Sequence, residues 1–307
     1  MKCAENEEQP GFERRRAARI MRPVRWWFKT AVGAPRSILV EMRECLSDEI
    51  MALPVFDALR AKYPAAHIGV LTNYPALFFN HPFVDTVNRA PSVVDRHILL
   101  RGAPRTVPRI AYYARCARLP LPNTRPHLYY AGWSTPLLAE LPAGEGPLIA
   151  LAPGAAWPLE RWPWKRWQAL AEALTARGCR LVELGQTHEP LGVGASLVAR
   201  TSVREAACVL HHADLVIAVN NGLMHLALAA GSAAVGLFGP AAPPILIQQE
   251  PNFYPVQTPY RCAGYWNRPG PQPSRARCPE GHAACLEGIR VDDVLDAVGR
   301  RLILPGR

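Results

Sequence analysis

The sequence predicts an α/β protein built from two strand-and-helix units, and three observations carry that expectation. Short apolar runs such as LIALA at 148–152 and LVIAV at 215–219 have the length and content of buried strands. Each is followed by a turn or loop and then a helix-like stretch, which is the order of βα units. The 307 residues are enough for one large or two medium domains. The 49% hydrophobic content suits a globular chain. No run of about 18 apolar residues occurs, so no transmembrane helix is expected. The start of the chain lacks a signal-peptide core, which makes a cytoplasmic protein the expectation. Eight cysteines are too few for a disulfide scaffold, and Cys179 and Cys208 sit in apolar surroundings as buried thiols. A net charge of +10 points to an anionic partner: nucleotide, nucleic acid or membrane surface.

Residues 1–34 form a tail apart from the fold. Its stretch 13–29, ERRRAARIMRPVRWWFK, mixes arginines with Trp26, Trp27 and Phe28, the composition of an interfacial membrane segment. The alternative is a disordered basic tail. Pro23 breaks any single long helix there. No aromatic-and-basic pattern recurs later, so nucleic acid is not expected as a partner.

The first unit, 35–145, opens with a strand at Ser37–Met42, then the stretch 43–49, carrying Asp48, as loop and start of a helix that continues from Ile50 to Tyr63 with Leu53, Val55, Phe56 and Leu59 on its apolar face. His67–Leu71 is a second strand, and 78–85 leads to a third. His97–Gly102 fits a strand, Pro108–Leu119 a helix, and His127–Tyr130 a short strand. Asp48 lies at the carboxyl end of the first strand, where open α/β sheets bind ligands. There it serves either as a general base or as a partner of the helix dipole. A Pro- and Gly-rich linker at 142–147 leads to the second unit, 146–307.

Strand Leu148–Ala152 runs into the loop PGAAWPLERWP, where Gly154 permits close approach of a phosphate. Arg161 in that loop either pairs with phosphate or packs on tryptophan at the surface. A helix follows from Trp164 to Arg177, then a strand at Cys179–Leu184. Glu189 lies in the next loop and is either an acceptor for ribose hydroxyls or part of a polar loop. After a helix at Arg204–Ala213 comes the stretch LVIAVNNGLMHLALAAGSAAVGLFGP, Leu215 to Pro240. It reads as strand, the turn Asn220-Asn221-Gly222, helix, a stop at Gly231, and strand. Free amides and the helix dipole converge at that turn, so a nucleotide-sugar diphosphate at Asn220–His225 is one reading, and an ordinary βα turn the other. Val291–Leu302 reads as a terminal helix with Asp292 and Asp293 at its start. Cys262, Cys278, His282 and Cys285 lack the spacing of a strong zinc site, so no metal is expected. The absence of GxxxxGK and of a GxGxxG after a strand argues against an NTPase and a dinucleotide dehydrogenase.

The Asp48 loop, the PGAAWPLERWP loop and VNNGLMH at 219–225 occur in that order and together resemble glycosyltransferase family 9, the ADP-heptose:lipopolysaccharide heptosyltransferases. The similarity runs from about residue 36 to 300, and CPEGHAACLEGIRV at 278–291 is similar to that family's tail. The resemblance implies a GT-B fold, two Rossmann-like domains facing across a cleft, with the terminal helix packing back on the N-terminal domain. It implies inverting transfer of a heptose or related sugar from an ADP-sugar to a lipopolysaccharide-core or other surface glycan, with no cofactor and no obligatory metal. Asp48 matches the proposed general base. Gly222, Leu223 and His225 match the diphosphate turn, with Asn220 and Asn221 beside them. Arg161 and Trp162 lie in the second phosphate loop, the one that contains Gly154, and Glu189 falls at a nucleoside-binding acid. The chain departs from the family's pattern where Glu160 replaces a common lysine and where Asn220-Asn221 precedes Gly222. An acid at 160 is expected to repel a diphosphate.

Overall fold

The computed structural model describes residues 33–121, 125–129, 133–186, 190–247, 250–270, 277–278 and 283–302. The basic and aromatic stretch at 13–29 lies outside them, as do Glu189 and His282.

The described chain forms two all-parallel sheets. In the first, β1 (Ser37–Met42) pairs with β2 (His67–Thr72) on one side and β4 (Arg96–Leu99) on the other, and β2 carries β3 (Thr86–Val87). β1 is buried along nearly its whole length, which is why it reads as a continuous apolar run rather than an alternating one. Between β1 and β2 the chain is helical from residue 46, within the stretch 43–49 where the start was expected, and it is interrupted before Pro54. α1 (Leu46–Ala52) and α2 (Pro54–Lys62) meet at Leu53, with Pro54 at the first position of α2. Proline has no N–H to continue the ladder, so it ends one helix and begins the next. α3 (Arg109–Cys116) follows β4. The expected strand at 127–130 does not form over 127–129; there the backbone N–H of Leu128 donates to the carbonyl of Ala229, at the end of a helix of the second unit.

The second sheet contains β5 (Leu148–Ala152), β6 (Arg180–Glu183), β7 (Ala195–Ser196), β8 (Leu215–Val219), β9 (Ala234–Phe238) and β10 (Phe253–Gln257). Its spatial order is β10-β9-β8-β5-β6-β7, all parallel. Counted from β5, this is the doubly wound order in which two halves diverge from a central pair. β7 and β10 escape the sequence reading because one is two residues long and the other carries Pro255 within it. The helices are α4 (Trp164–Thr175), α5 (Val203–His212), α6 (Gly222–Ala229), α7 (Pro243–Leu246), α8 (Ala284–Glu287) and α9 (Val291–Gly299).

Local chemistry fixes the ends of these helices. Ser202 and Glu205 form a capping box at the start of α5. α6 ends at Gly231, whose φ of +86° is the left-handed value a side chain resists. The N–H groups of Gly231 and Ser232 return to the carbonyls of Leu228 and Ala227, closing the helix as a Schellman motif.

α5 and α6 cover one face of the second sheet and belong to the same buried core as β1, α1, α2 and α3 of the first unit. α4 and α9 cover the other face. Among the described residues the terminal helix packs chiefly on the second sheet, against α4, β9 and β10, where the family resemblance allowed it to pack back on the first unit. Its buried stripe of Val294, Leu295, Ala297 and Val298 fits the apolar groove beside β10.

Candidate functional site

A parallel sheet places its ligand crevice at the carboxyl edge where successive connections diverge to opposite sides. In the first sheet that point lies between β1 and β4, and in the second between β5 and β8. The two crevices open into one cleft of about 1130 Å³, lined from both units.

The first unit contributes charge. Asp48, in the first turn of α1, is half-buried and forms an ion pair with Nε of Arg109 at 3.1 Å. The Tyr113 hydroxyl donates to Oδ1 of Asp48 at 3.2 Å, and the Cys45 thiol donates to Oδ2 at 3.1 Å. Arg109 is itself braced, since its Nη1 donates to the carbonyls of Ala103 and Pro104 at 2.6 and 3.0 Å. Burial, and then the Asp48 charge, push the Tyr113 phenol up, so it stays a donor at any physiological pH. Cys45 is the N-cap residue of α1 and makes no side-chain cap. Asp48 thus has the dipole position and is also aimed by neighbours into the cleft.

Behind Asp48 sits Glu49, fully buried. Its carboxylate accepts from the Thr72 hydroxyl and from the backbone N–H of Glu44 and Asn73, at 3.2 and 3.1 Å for the two amides. This one side chain therefore ties the loop after β1 to the loop after β2. Desolvation raises its pKa to about 7. Glu44 also has its pKa raised by burial, and it accepts from the N–H of Gly102 at 3.1 Å.

The second unit contributes backbone and amides. Asn221 is the N-cap of α6, its Oδ1 accepting from the N–H of Met224 at 2.9 Å. Its Nδ2 donates to the carbonyls of Ala152 and Gly154 at 2.9 and 2.8 Å. Both amide hydrogens of that side chain buckle the turn to the loop after β5, while the residue itself borders the cleft, where the sequence reading had it touch the ligand. Gly154 enters the same clamp through its carbonyl. The N–H groups of Gly222 and Leu223 have no acceptor among the described residues, as the geometry of a helix start requires. A Cβ at Gly222 would lie 3.0 Å from the side chain of Leu46 of α1, a tight contact where the two units touch. His225 is 3% exposed, and burial, helped by Arg109, lowers its pKa to about 4 against the opposing pull of Asp48. It borders the cleft as a neutral imidazole, offering an N–H without a charge.

The loop after β5 reverses one expectation. Glu160 faces the cleft, 7% exposed, and its Oε1 accepts from Nδ2 of Asn220 at 2.7 Å. Arg161, expected on the phosphate, is exposed and outside the cleft lining. The cause is the next residue: Trp162 is buried against Trp167 and donates its Nε1 to the carbonyl of Ile289. With residues 160 and 162 both turned inward, the side chain between them is directed to solvent.

Arg109, Tyr113, Glu44 and Glu49 went unrecognised in the sequence. A pointer existed for two of them, a helix after β4 that places Arg109 and Tyr113 one turn apart. Cys262 and Cys285 share a small buried cluster with Tyr265, and Cys278 packs against it. Burial and then Cys262 push the Cys285 thiol up to about 12. No set of three or more His, Cys, Asp or Glu among the described residues is arranged to hold a metal ion. No helix among them is long and apolar enough to cross a membrane.

The family described as glycosyltransferase family 9 (heptosyltransferase) matches residues 111–257. The lipooligosaccharide heptosyltransferase 2 of Haemophilus influenzae is similar over 115 residues at 30% identity, covering 33% of this chain and 33% of that protein. The matched stretch thus spans about a third of the length of this curated relative. In three dimensions the chain is similar to a glycosyl transferase family 9 protein from Veillonella parvula, with a TM-score of 0.67 and 16% identity over 86% of this chain and 96% of that one. It is also similar to the E. coli ADP-heptose lps heptosyltransferase II, with a TM-score of 0.63 and 19% identity over 86% of this chain and 98% of that one. At those identities the likeness shows the fold, which is GT-B: two parallel-sheet units facing across a cleft.

Proposed function

We propose that the chain, which the glycosyltransferase family 9 model matches over 111–257, is a divergent member of that family and transfers a heptose or related sugar from an ADP-sugar to a lipopolysaccharide-core or other surface-glycan acceptor. The observation that carries this reading is the pairing across one cleft of Asp48 from the first unit with the open N-terminus of α6 from the second. The donor domain is then 146–307 and the acceptor domain 35–145.

In this reading the donor diphosphate sits on the N–H groups of Gly222 and Leu223, where the helix dipole and fixed amides stabilise the charge that develops on departure. Asp48 takes the proton from the acceptor hydroxyl while that oxygen attacks the anomeric carbon. The bond from that carbon to the phosphate oxygen breaks on the opposite side, so the anomeric configuration inverts. Arg109, Tyr113 and Cys45 hold the carboxylate in place, and His225 supplies a neutral N–H at the wall. The basic and aromatic stretch at 13–29 serves as a peripheral attachment to an anionic membrane surface, the inner face where a glycolipid acceptor is presented.

The test is binding followed by transfer. ADP and ADP-heptose added to the purified chain raise its melting temperature, by the equivalent of about 2.7 kcal/mol at a ligand concentration one hundred times Kd. Transfer is then read as ADP release dependent on a glycan acceptor. A melting temperature unmoved by either ligand sinks the reading. Binding without transfer to any core glycan leaves a nucleotide-sugar-binding protein that does not turn over.

A further inference from the structure

We infer that Glu160 reads the sugar of the donor, and that the donor sugar is neutral with a hydroxyl directed at this carboxylate. The inference rests on the preceding reading that a nucleotide sugar occupies the cleft.

Three features of the site lead to it. Glu160 is buried yet faces the cleft, at the switch point between β5 and β8. Asn220 donates to its Oε1 at 2.7 Å, which fixes the carboxyl group as an acceptor. Asn220 stands two residues before Gly222, where the open amides begin. The carboxylate is thus held close to the anion seat, where it is the wrong group for a phosphate, because like charges in a half-dry cleft repel. It is the right group for a sugar hydroxyl, because an O–H donating to a carboxylate is a charge-assisted hydrogen bond. A site built on such an acceptor rejects ligands that bring a second carboxylate, and it loses affinity for ligands that bring no hydroxyl. Glu160 is therefore a specificity-determining residue, and uronic-acid donors are excluded.

Calorimetry on the full chain separates this role from that of a mere prop for Asn220. Wild type binds ADP-heptose at least tenfold more tightly than ADP. In Glu160→Gln that gain collapses to less than threefold, while the Kd for ADP itself stays within threefold of wild type or tightens. Wild type alone supplies a second measurement that needs no variant to fold: ADP-glucose binds at least tenfold more tightly than ADP-glucuronate. The inference is overturned if Glu160→Gln weakens ADP and ADP-heptose equally, if it leaves the gain intact, or if wild type takes the glucuronate as well as the glucose. A wild-type chain that binds none of these nucleotides overturns the parent reading, and this one with it.

Discussion

The two switch points of the molecule build their halves of the cleft in opposite ways. Around Asp48 the first unit assembles charged and hydroxyl side chains drawn from distant parts of the chain. Arg109 and Tyr113 come from α3, Glu49 from the inner face of α1, and Thr72 from the end of β2. Around α6 the second unit uses neighbours in sequence and the backbone itself: Asn220, Asn221, and the amides of Gly222 and Leu223. The first arrangement suits proton transfer, because a carboxylate must be aimed and its charge balanced. The second suits a leaving diphosphate, because amides fixed by a helix need no reorganisation when charge appears. The difference predicts that damage to the first half falls on rate, and damage to the second on affinity.

The largest effect belongs to Asp48. In Asp48→Asn the shape is kept and the base is lost, and kcat is expected to fall by roughly a hundredfold to ten-thousandfold, the usual range for general-base removal. The Kd for ADP is expected to stay within threefold, since the donor seat lies in the other unit. A variant that transfers at the wild-type rate removes Asp48 from the base role. One that loses ADP binding as well breaks the division between the halves.

Legibility follows the same division. The second half is written in a contiguous stretch, strand then NNG then helix, so its elements and its turn are readable at once from local chemistry. The family match, at residues 111–257, falls mostly on this half. Even so, how two of its side chains are used was not legible. Asn221 proves to be a clamp whose side chain is spent on Met224, Ala152 and Gly154, and Arg161 is turned outward by the burial of Trp162. Both outcomes depend on which way a side chain points, which spacing alone does not encode. In the first half Asp48 was readable as the end of a strand, but its partners were not. Arg109 is 61 residues away along the chain, and Tyr113 is 65 residues away in the same helix. Only the pairing of β1 with β4 brings that helix back over α1.

Glu49 marks the next largest effect and probes the first half by pH. Its pKa in the folded chain, about 7, lies above the ordinary glutamate value of 4.5. A carboxyl raised in this way binds its proton more tightly when folded. Its contribution is fully present below about pH 4.5 and is lost as pH rises through 7. Glu49→Gln carries no such proton and keeps an oxygen for the amides of Glu44 and Asn73. Between pH 4.5 and 7.5, wild type is therefore expected to lose stability relative to Glu49→Gln by on the order of 3 kcal/mol. Chemical denaturation across that range measures it. Parallel stability curves for the two proteins would mean that Glu49 is ionised throughout and held by its three donors.

The smallest effect, a change in ADP affinity of about tenfold, tests how the second half is held, and here two substitutions at one position divide the answer. Asn221→Ala removes the cap of α6 and both ties to the loop after β5. Loss of the cap alone costs about 1 kcal/mol. Each lost tie adds roughly 0.5–1.5 kcal/mol. Asn221→Ser keeps an oxygen for the N–H of Met224 but is too short to hold the carbonyls of Ala152 and Gly154 together. If the turn's value for binding lies in the helix start, Asn221→Ser binds ADP as wild type does and Asn221→Ala is the weaker by about tenfold. If it lies in the buckle between the two loops, both variants lose about the same affinity while only Asn221→Ala loses the cap's share of stability. The geometry favours the second outcome. The amides of Gly222 and Leu223 are open at any helix start, capped or not, whereas their register against Gly154 and Glu160 across the crevice is set by Asn221 and its neighbour Asn220 alone among the side-chain hydrogen bonds described there.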